Sequence, residues 1–474
     1  MMWPPSRCQL TVSLPWLLWS DVHMVTSARA FLIELYEEYL EEASFLYEQR
    51  FALFANSEIS WNRIADFEER LEAQIDGLVV GEELALEVCQ QHAISGDSGE
   101  AHAAARVFCR QNRIDLLLKT LEKVDAADSE RLQAVTDALK HDLPESWQSQ
   151  LSDLLQSSDP NLVLVATEVT GYRRLKGRND LMRILEKPSS SNLLAKAIWA
   201  LGRLADQTAR GSIFFHLTGG VVPLQSAAAV ALLRLGDERA LNYCLQRASS
   251  ESWAILPTAL GGSREALEVL LDQAMIGPVS SECLIGLGLL GYAAAIPILI
   301  RYLDNDETAT AAANSLNSIT GAGLREEVFI PETVDEDELF EEERETLKDG
   351  GQVFTRADGK PFGTTVKRVS QKPEEWRQWW NKHRSSLDFE ARYRNGTPYS
   401  PSCLVADLEQ ESTIHDMRRL TYEELVIRYG LDVPFEADMF VAQQMTALAS
   451  ATEWARQQGT RVVSGRSYFA GKPR

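Results

Sequence analysis

A row of glycines restricts this chain more than any other feature of its sequence. Gly171, Gly202, Gly236, Gly261, Gly291 and Gly321 each close a helix-like apolar run, in VATEVTG, AIWALG, VALLRLG, ILPTALG, IGLGLLG and LNSITG. Their separations are 31, 34, 25, 30 and 30 residues. A second apolar helix follows most of them, as in RALNYCLQRA, REALEVLLDQA and AAIPILIRYLD. A helix, a glycine-marked turn and a partner helix recurring at this period is the pattern of stacked helical hairpins. Neither helix of such a pair can hide its apolar side alone, so burial requires neighbours. Alanine clusters at 227–229 and 311–313 suit the same reading, because small residues let helices approach closely. Glycines scattered by chance through an Ala- and Leu-rich bundle are the alternative, and the regular flanking pattern weighs against it.

Earlier in the chain, FLIELYEEYLEEASFLYEQRFALF (31–54) places Leu35, Tyr39, Ala43, Leu46 and Leu53 near one helical face, with Glu37, Glu38, Glu41 and Glu42 offset from it. A second stripe runs through Trp61, Ile64, Phe67, Leu71, Ile75 and Leu78, and Gly77 stands where a left-handed residue is expected to end that helix. Residues 81–165, with HAAARVFCR and DLLLKTLEKV, read as more degenerate repeats. Composition changes after Gly323. Between Glu332 and Asp349 lie ten acidic and two basic residues, a run expected to be a solvated linker. QVFTR and TTVKRVS then flank ADGKPFG, an alternating pattern around an Asp-Gly turn that predicts a β-hairpin. Helical character returns with PEEWRQWWNKH and over 419–458.

The expected fold is therefore mainly α: a HEAT-like α-solenoid of helical hairpins with a small C-terminal module containing a β-hairpin. The expected segments are a non-native extension or disordered leader over 1–27, an N-terminal helical hairpin over 28–80, and the repeats over 81–325. The acidic linker and hairpin follow over 326–372, a helical module over 373–458 and a flexible tail over 459–474.

Charge narrows the function. With 47 Lys plus Arg against 69 Asp plus Glu, the net charge is −22, which repels a phosphate backbone unless a local basic stripe cancels it. Nucleic acid is excluded as an expected partner on that ground. Cys8, Cys89, Cys109, Cys244, Cys283 and Cys403 show neither a C-x-x-C pair nor the spacing of a disulfide framework or zinc site, which fits a reducing compartment. Apolar runs are too short or too interrupted for a membrane span. LTVSLPWLLW (10–19) imitates the apolar part of a signal peptide, but only Arg7 supplies positive charge and Pro15 interrupts the run. The expectation is a cytoplasmic protein whose true start is either Met1 or Met24.

No catalytic or cofactor motif emerges. Walker A, H-E-x-x-H, G-x-S-x-G and strand-to-helix G-x-G-x-x-G patterns are absent from the sequence. Gly286, Gly288 and Gly291 have the spacing of a dinucleotide fingerprint, but they stand inside a helix-like apolar run and not in a turn after a strand, so tight helix packing is the expected reason for them. Seven histidines never fall at i, i+3 or i, i+4 with one another, so no local metal site is expected. Asn395-Gly396-Thr397 matches a glycosylation acceptor, which has no meaning in a cytoplasmic setting. The most distinctive polar-aromatic cluster is Trp376, Trp379, Trp380 and His383, followed by Arg392 and Tyr393. Trp376, Trp380 and His383 share a stripe of one helix, with Trp379 beside it. Docking of the C-terminal module onto the last repeats is the favoured role of these rings, and partner binding is the alternative, since Trp, Tyr and Arg dominate interface energetics.

Several segments carry a resemblance: EEASFLYEQR (41–50), FEERLEAQIDGL (67–78), Gly99-Glu100, SLNSITGAGL (315–324), Trp379-Trp380, Arg392-Tyr393 and VAQQ (441–444). Together they resemble uncharacterised HEAT-repeat proteins encoded beside type VI secretion genes in Gram-negative bacteria. The resemblance covers about residues 28–455 and implies a setting without implying an activity, a cofactor or catalytic residues. The insert over about 326–372 and the tail over 459–474 depart from the family pattern. The function expected from this is a non-enzymatic scaffold or adaptor whose protein partner is a secretion-system component or effector, of basic character if long-range attraction guides it. An immunity protein that occludes a toxin is the alternative, and an enzyme on a HEAT-like scaffold is a further one.

Overall fold

The computed structural model describes residues 17–56, 58–125, 127–187, 189–331, 341, 344, 362–459 and 461–474. The chain is a mainly α, HEAT-like solenoid, 72% helical, with 22 α-helices and a few short antiparallel strand pairs among the described residues. Two compact units divide it: one comprises Met1–Gln49 with Glu69–Trp147, the other Arg50–Glu68 with Gln148–Arg474. No helix among the described residues is long and apolar enough to cross a membrane.

The chain opens with α1 (Leu17–Ala55) and α2 (Ala65–Val80), then α3 (Glu82–Ser95), α4 (Ser98–Arg110), α5 (Ile114–Lys123) and α6 (Ser129–Asp142). The helix read over 31–54 thus begins at Leu17, within the segment read as a leader. Gly77 does not end a helix as its position suggested. It sits inside α2, and a Cβ there would lie 2.7 Å from the Tyr39 ring, so close packing and not a left-handed turn requires glycine. In the first unit Asp97 caps α4 in a reciprocal box with Glu100. Ser44 donates to the same Asp97 carboxylate, and its backbone lies 2.8 Å from a Cβ placed on Gly99. The Gly99-Glu100 pair therefore joins a helix cap to a helix crossing. Tyr47 stacks on His102 at 3.8 Å and donates to Asp137, while the buried Arg106 pairs with Glu72 and Asp142.

The second unit stacks α7 (Gln148–Leu154), α8 (Pro160–Arg173), α9 (Arg178–Glu186), α10 (Ser191–Arg203), α11 (Arg210–Gly219), α12 (Val222–Arg234), α13 (Glu238–Arg247), α14 (Ile255–Gly261), α15 (Arg264–Ile276), α16 (Ser281–Leu290), α17 (Ile296–Arg301) and α18 (Asp306–Thr320). The first helices of the hairpins, α8, α10, α12, α14, α16 and α18, pack side by side. They are buried nearly all round, as α16 shows: Cys283, Leu284, Leu287, Leu289 and Leu290 are all inaccessible. Burying one such leucine contributes about 1.5–3 kcal/mol. The helices start where side chains satisfy orphan backbone donors: Ser190, Ser280, Asp159, Asp237 and Asn305 each accept from a first-turn amide.

After α18, β1 (Arg325–Pro331) pairs antiparallel with β2 (Gly363–Val369), Arg325 opposite Val369. TTVKRV is thus a strand, but its partner is REEVFIP, ahead of the acidic run. QVFTR and the Asp-Gly turn lie outside the described residues, as does the acidic run itself apart from Glu341 and Arg344. The C-terminal module follows: α19 (Pro373–His383), the pair β3 (Tyr393–Arg394) and β4 (Thr397–Pro398), α20 (Pro401–Glu409), α21 (His415–Tyr429), α22 (Val441–Gln458), and the pair β5 (Tyr468–Phe469) and β6 (Lys472–Pro473). Its apolar core includes Tyr399, Leu404, Leu408, Leu425 and Leu448, joined by Trp61 and Ile64. Residues 459–474, read from the sequence as a flexible tail, bury Tyr468 and Phe469.

Candidate functional site

The later part of the glycine row, Gly236 to Gly321, is an edge that the C-terminal module covers, whereas the first two glycines pack against neighbouring repeats. Gly171 and Gly202 lie within the last turns of α8 and α10, where a Cβ would meet backbone atoms of Ala200 and Ala231 at 2.8 and 2.9 Å. The left-handed residues that end those hairpin turns are instead Arg174 (φ 51°) and Ala205 (φ 51°). Gly291 (φ 74°) and Gly321 (φ 59°) are true left-handed caps, and each also makes room for the module: the Tyr393 carbonyl oxygen lies 2.3 Å from a Cβ on Gly291, and Asn395 backbone 2.5 Å from one on Gly321. Ala470 approaches Gly236 and the Phe469 ring approaches Gly261 in the same way, at 2.9 and 3.3 Å.

Two short turns make these approaches. Asn395 (φ 50°) with Gly396 (φ 72°), and Ala470 (φ 48°) with Gly471 (φ 75°), each join a strand pair through two left-handed residues, the pattern of a type I′ turn. The Asn395 and Gly396 amides donate to the Ser318 and Ile319 carbonyls at 2.6 and 3.0 Å, and the Tyr393 amide to Gly291 at 2.7 Å. Helix C-termini leave carbonyls without intrahelical donors, and they carry partial negative charge. Arginines supply both needs: Arg392 donates to Leu290 and Leu289 at 2.6 and 3.0 Å, and Arg428 to Ala259 and Gly262 at 2.7 and 3.0 Å.

Toward the earlier repeats the arrangement is reversed. Arg203 and Arg234, the last residues of α10 and α12, each reach Glu423 at 2.8 Å, and Arg203 also pairs with Glu436 at 2.7 Å. Arg174 reaches Glu436 at 3.4 Å and donates to the Tyr422 hydroxyl at 2.8 Å. Burial alone would raise the Glu423 carboxyl, but Arg234 and Arg203 outweigh it and hold it at about 2. For Glu436 burial wins over Arg203 and Arg174, and its pKa is raised. At the centre Glu424 pairs with Arg392, Arg394 and Arg428, all fully buried, and accepts from the Tyr399 hydroxyl. Burial opposes the charged form of Arg394, but Glu424 and Asp407 overcome it and raise its pKa, whereas burial and the adjacent Arg392 lower that of Arg428. Sequence reading missed this network, because isolated arginines look like surface residues. Its signal was the spacing of Arg418, Thr421, Glu424 and Arg428 along a single face of α21.

The aromatic cluster divides in two. Trp376 is fully buried, α19 packs on α17, and the indole donates to the Ser370 carbonyl at 2.7 Å. Arg392 and Tyr393 are buried in the module's seat on the repeats, at 0% and 7% exposure, so neither offers a partner a surface. Trp379, Trp380 and His383 are half-buried. Trp379 stacks on His383 at 4.5 Å, Trp380 meets Phe389 edge-on at 5.9 Å, and Phe389 is 43% exposed. His383 Nδ1 lies 2.8 Å from the Trp379 carbonyl, so the ring is fixed in place.

Concave surfaces among the described residues include the following two. A cleft of about 210 Å³ with mixed polar and apolar lining lies between α18, the β1–β2 pair and the segment of Gln410, Ser412, Thr413 and Ile414. A more open groove of about 600 Å³ between α13 and α15 is lined by Leu245, Val269 and Ile276 together with Glu265 and Asp272. No cluster of three or more His, Cys, Asp or Glu side chains arranged to hold a metal occurs among the described residues.

No protein-family model matches the chain, and neither does any curated protein. Among solved structures it is similar to the crystal structure of Kap121p bound to Ste12p, at 12% identity and a TM-score of 0.36, over 94% of this chain and 51% of that one. The chain thus spans about half the length of the solved protein it matches.

Proposed function

We propose that the chain is a non-enzymatic protein-binding scaffold or adaptor that works with a type VI secretion apparatus. The observation that carries the binding role is the half-buried pair Trp379 and Trp380. Indole rings are large apolar bodies that repay burial, and partner interfaces concentrate their energy in such residues. Here they are braced before any partner arrives, by His383 and Phe389, so binding them costs little side-chain entropy. Behind them Trp376 anchors the helix. The secretion setting rests on the resemblance of the sequence, and the net charge of −22 favours a partner of basic character.

Affinity purification of the tagged protein from its own cells, with mass spectrometry of what accompanies it, tests the reading. Recovery of sheath, spike or effector proteins supports the adaptor. Recovery of one secreted toxin, lethal when this protein is absent, selects the immunity role instead. Absence of any protein partner contradicts both.

A further inference from the structure

The cleft beside α18 inverts the sign of a chain whose net charge is −22. Arg325 and Lys367 both line it, and Arg368 with them. In the β1–β2 register Arg325 faces Val369 and Lys367 faces Glu327, so both cations stand on the same face of the ribbon. Among the described residues neither Arg325 nor Lys367 has an ion pair, Glu327 included, whereas Arg368 is held by Glu326 at 3.0 Å. The one carboxylate in the lining, Asp407, is already occupied: it pairs with Arg394 and accepts from Asn395 and Thr421. Two cations without an ion pair among the described residues therefore line one cleft, although the Glu58 carboxylate accepts the Lys367 backbone amide at 2.7 Å.

The rest of the lining mixes apolar side chains, Ala313, Val369, Ile414 and Met417, with uncharged polar ones. Thr310, Asn314 and Asn317 recur at i, i+4 and i+7 and form a polar stripe along α18, a helix otherwise buried through Ala312, Ala313 and Leu316. Asn317 is committed to the Gly323 amide at 3.1 Å, but the half-buried Asn314 amide has no hydrogen bond among the described residues. A primary amide offers both a donor and an acceptor, and in Asn314 neither is committed to another protein group among the described residues. A bare anion would satisfy only the donor. A peptide group satisfies both, and a carboxylate beside it satisfies Arg325 and Lys367.

We propose that this cleft receives an acidic peptide segment of a protein partner, with its carboxylates on Arg325 and Lys367 and a backbone peptide group on Asn314. The proposal rests on the reading of the chain as a protein-binding scaffold and assigns it a second contact, of opposite charge sense to its overall field. Charge-assisted hydrogen bonds dominate such recognition.

The test is fluorescence anisotropy of the full chain with a short, labelled, glutamate-rich peptide, beside its glutamine analogue. Wild type binds the glutamate peptide and not the analogue. R325Q/K367Q lowers affinity about a hundredfold, about tenfold for each of the two lost charge-assisted bonds, without changing the melting temperature. Asn314→Leu weakens peptide binding several-fold. No binding by wild type, or equal affinity of R325Q/K367Q, overturns the proposal. So does displacement of the peptide by inorganic phosphate with Asn314→Leu unaffected, which would make the cleft a bare-anion site. The scaffold reading fails separately, when wild type recovers no protein partner from cells. It stands when partners are recovered while peptide affinity is indifferent to R325Q/K367Q.

Discussion

The carbonyl oxygen of Tyr393 occupies the space beside Gly291, 2.3 Å from where a Cβ would stand, while the Tyr393 amide donates to the Gly291 carbonyl at 2.7 Å. Glycine is therefore required twice, by φ of 74° and by the backbone pressed against it. Gly291→Ala is expected to lower stability by more than the 1–2 kcal/mol of left-handed strain alone, because the Tyr393 carbonyl belongs to backbone and must shift. Thermal melting detects the loss, and hydrogen exchange locates it at residues 390–399. Gly211→Ala, an exposed position in α11 with nothing within 4 Å, is the control and is expected to leave stability equal or slightly raised. Equal melting of Gly291→Ala and wild type would show that the module is not seated on this edge.

The Glu423 carboxylate bridges two helix ends through Arg203 and Arg234, with all three side chains at 4–6% exposure. Removing one member of a buried ion cluster leaves the others uncompensated, at a cost of about 3–5 kcal/mol. Glu423→Gln should lower the urea midpoint accordingly. The effect has a pH signature. Because the folded pKa is depressed from 4.5 to about 2, the stabilisation is fully present above pH 4.5 and is lost as pH falls toward 2. The stability gap between wild type and Glu423→Gln should narrow over that window and stay constant above it.

His415 titrates in the opposite region. Burial lowers its pKa below 6.5, Asp438 and Asp416 act against the shift, and Arg419 and Arg418 add to it. Its ring lies 4.8 Å from Phe54. The folded state favours neutral His415, so this contribution is complete above pH 6.5 and is lost as pH falls below that value toward the lowered pKa. Urea unfolding between neutral and mildly acid pH should show stability falling, and His415→Gln should flatten the fall. An unchanged slope in the variant would place the titrating group elsewhere.

The repeats were readable because their signal is local. Apolar periodicity and terminal glycines are written within about 30 residues, and α13, α15 and α17 fall where the second apolar helices stand. What the glycines were for was not readable. Gly236, Gly261, Gly291 and Gly321 admit residues 393–395 and 469–470, contacts between segments far apart in sequence that no periodicity encodes. The β-ribbon was half read: Thr364–Val369 alternates as a strand does, but its partner Arg325–Pro331 begins REE, whose charges resemble the acidic run that follows. The Asn395-Gly396 turn was in view and passed over as a glycosylation motif, although Asn-Gly is also a strong short hairpin signal. Of the aromatic cluster, helical spacing placed Trp376, Trp380 and His383 on one stripe but could not say that burial stops at Trp376.

Quantitative affinity purification of W379A/W380A beside wild type checks whether Trp379 and Trp380 form the proposed partner surface. Both rings are half-buried while Trp376 holds the helix, so the double variant should keep its circular dichroism and lose only a few degrees of melting temperature. Trp376→Ala, which empties a fully buried site, should cost about 3–5 kcal/mol and serves as the unfolding control. Hot-spot aromatics typically carry 2 kcal/mol or more each, so loss of both should weaken affinity for the partner by up to about a thousandfold, and by about thirtyfold if only one ring is a hot spot, with recovery falling accordingly. Recovery at the wild-type level by a folded W379A/W380A protein would show that the two indoles are not the partner surface.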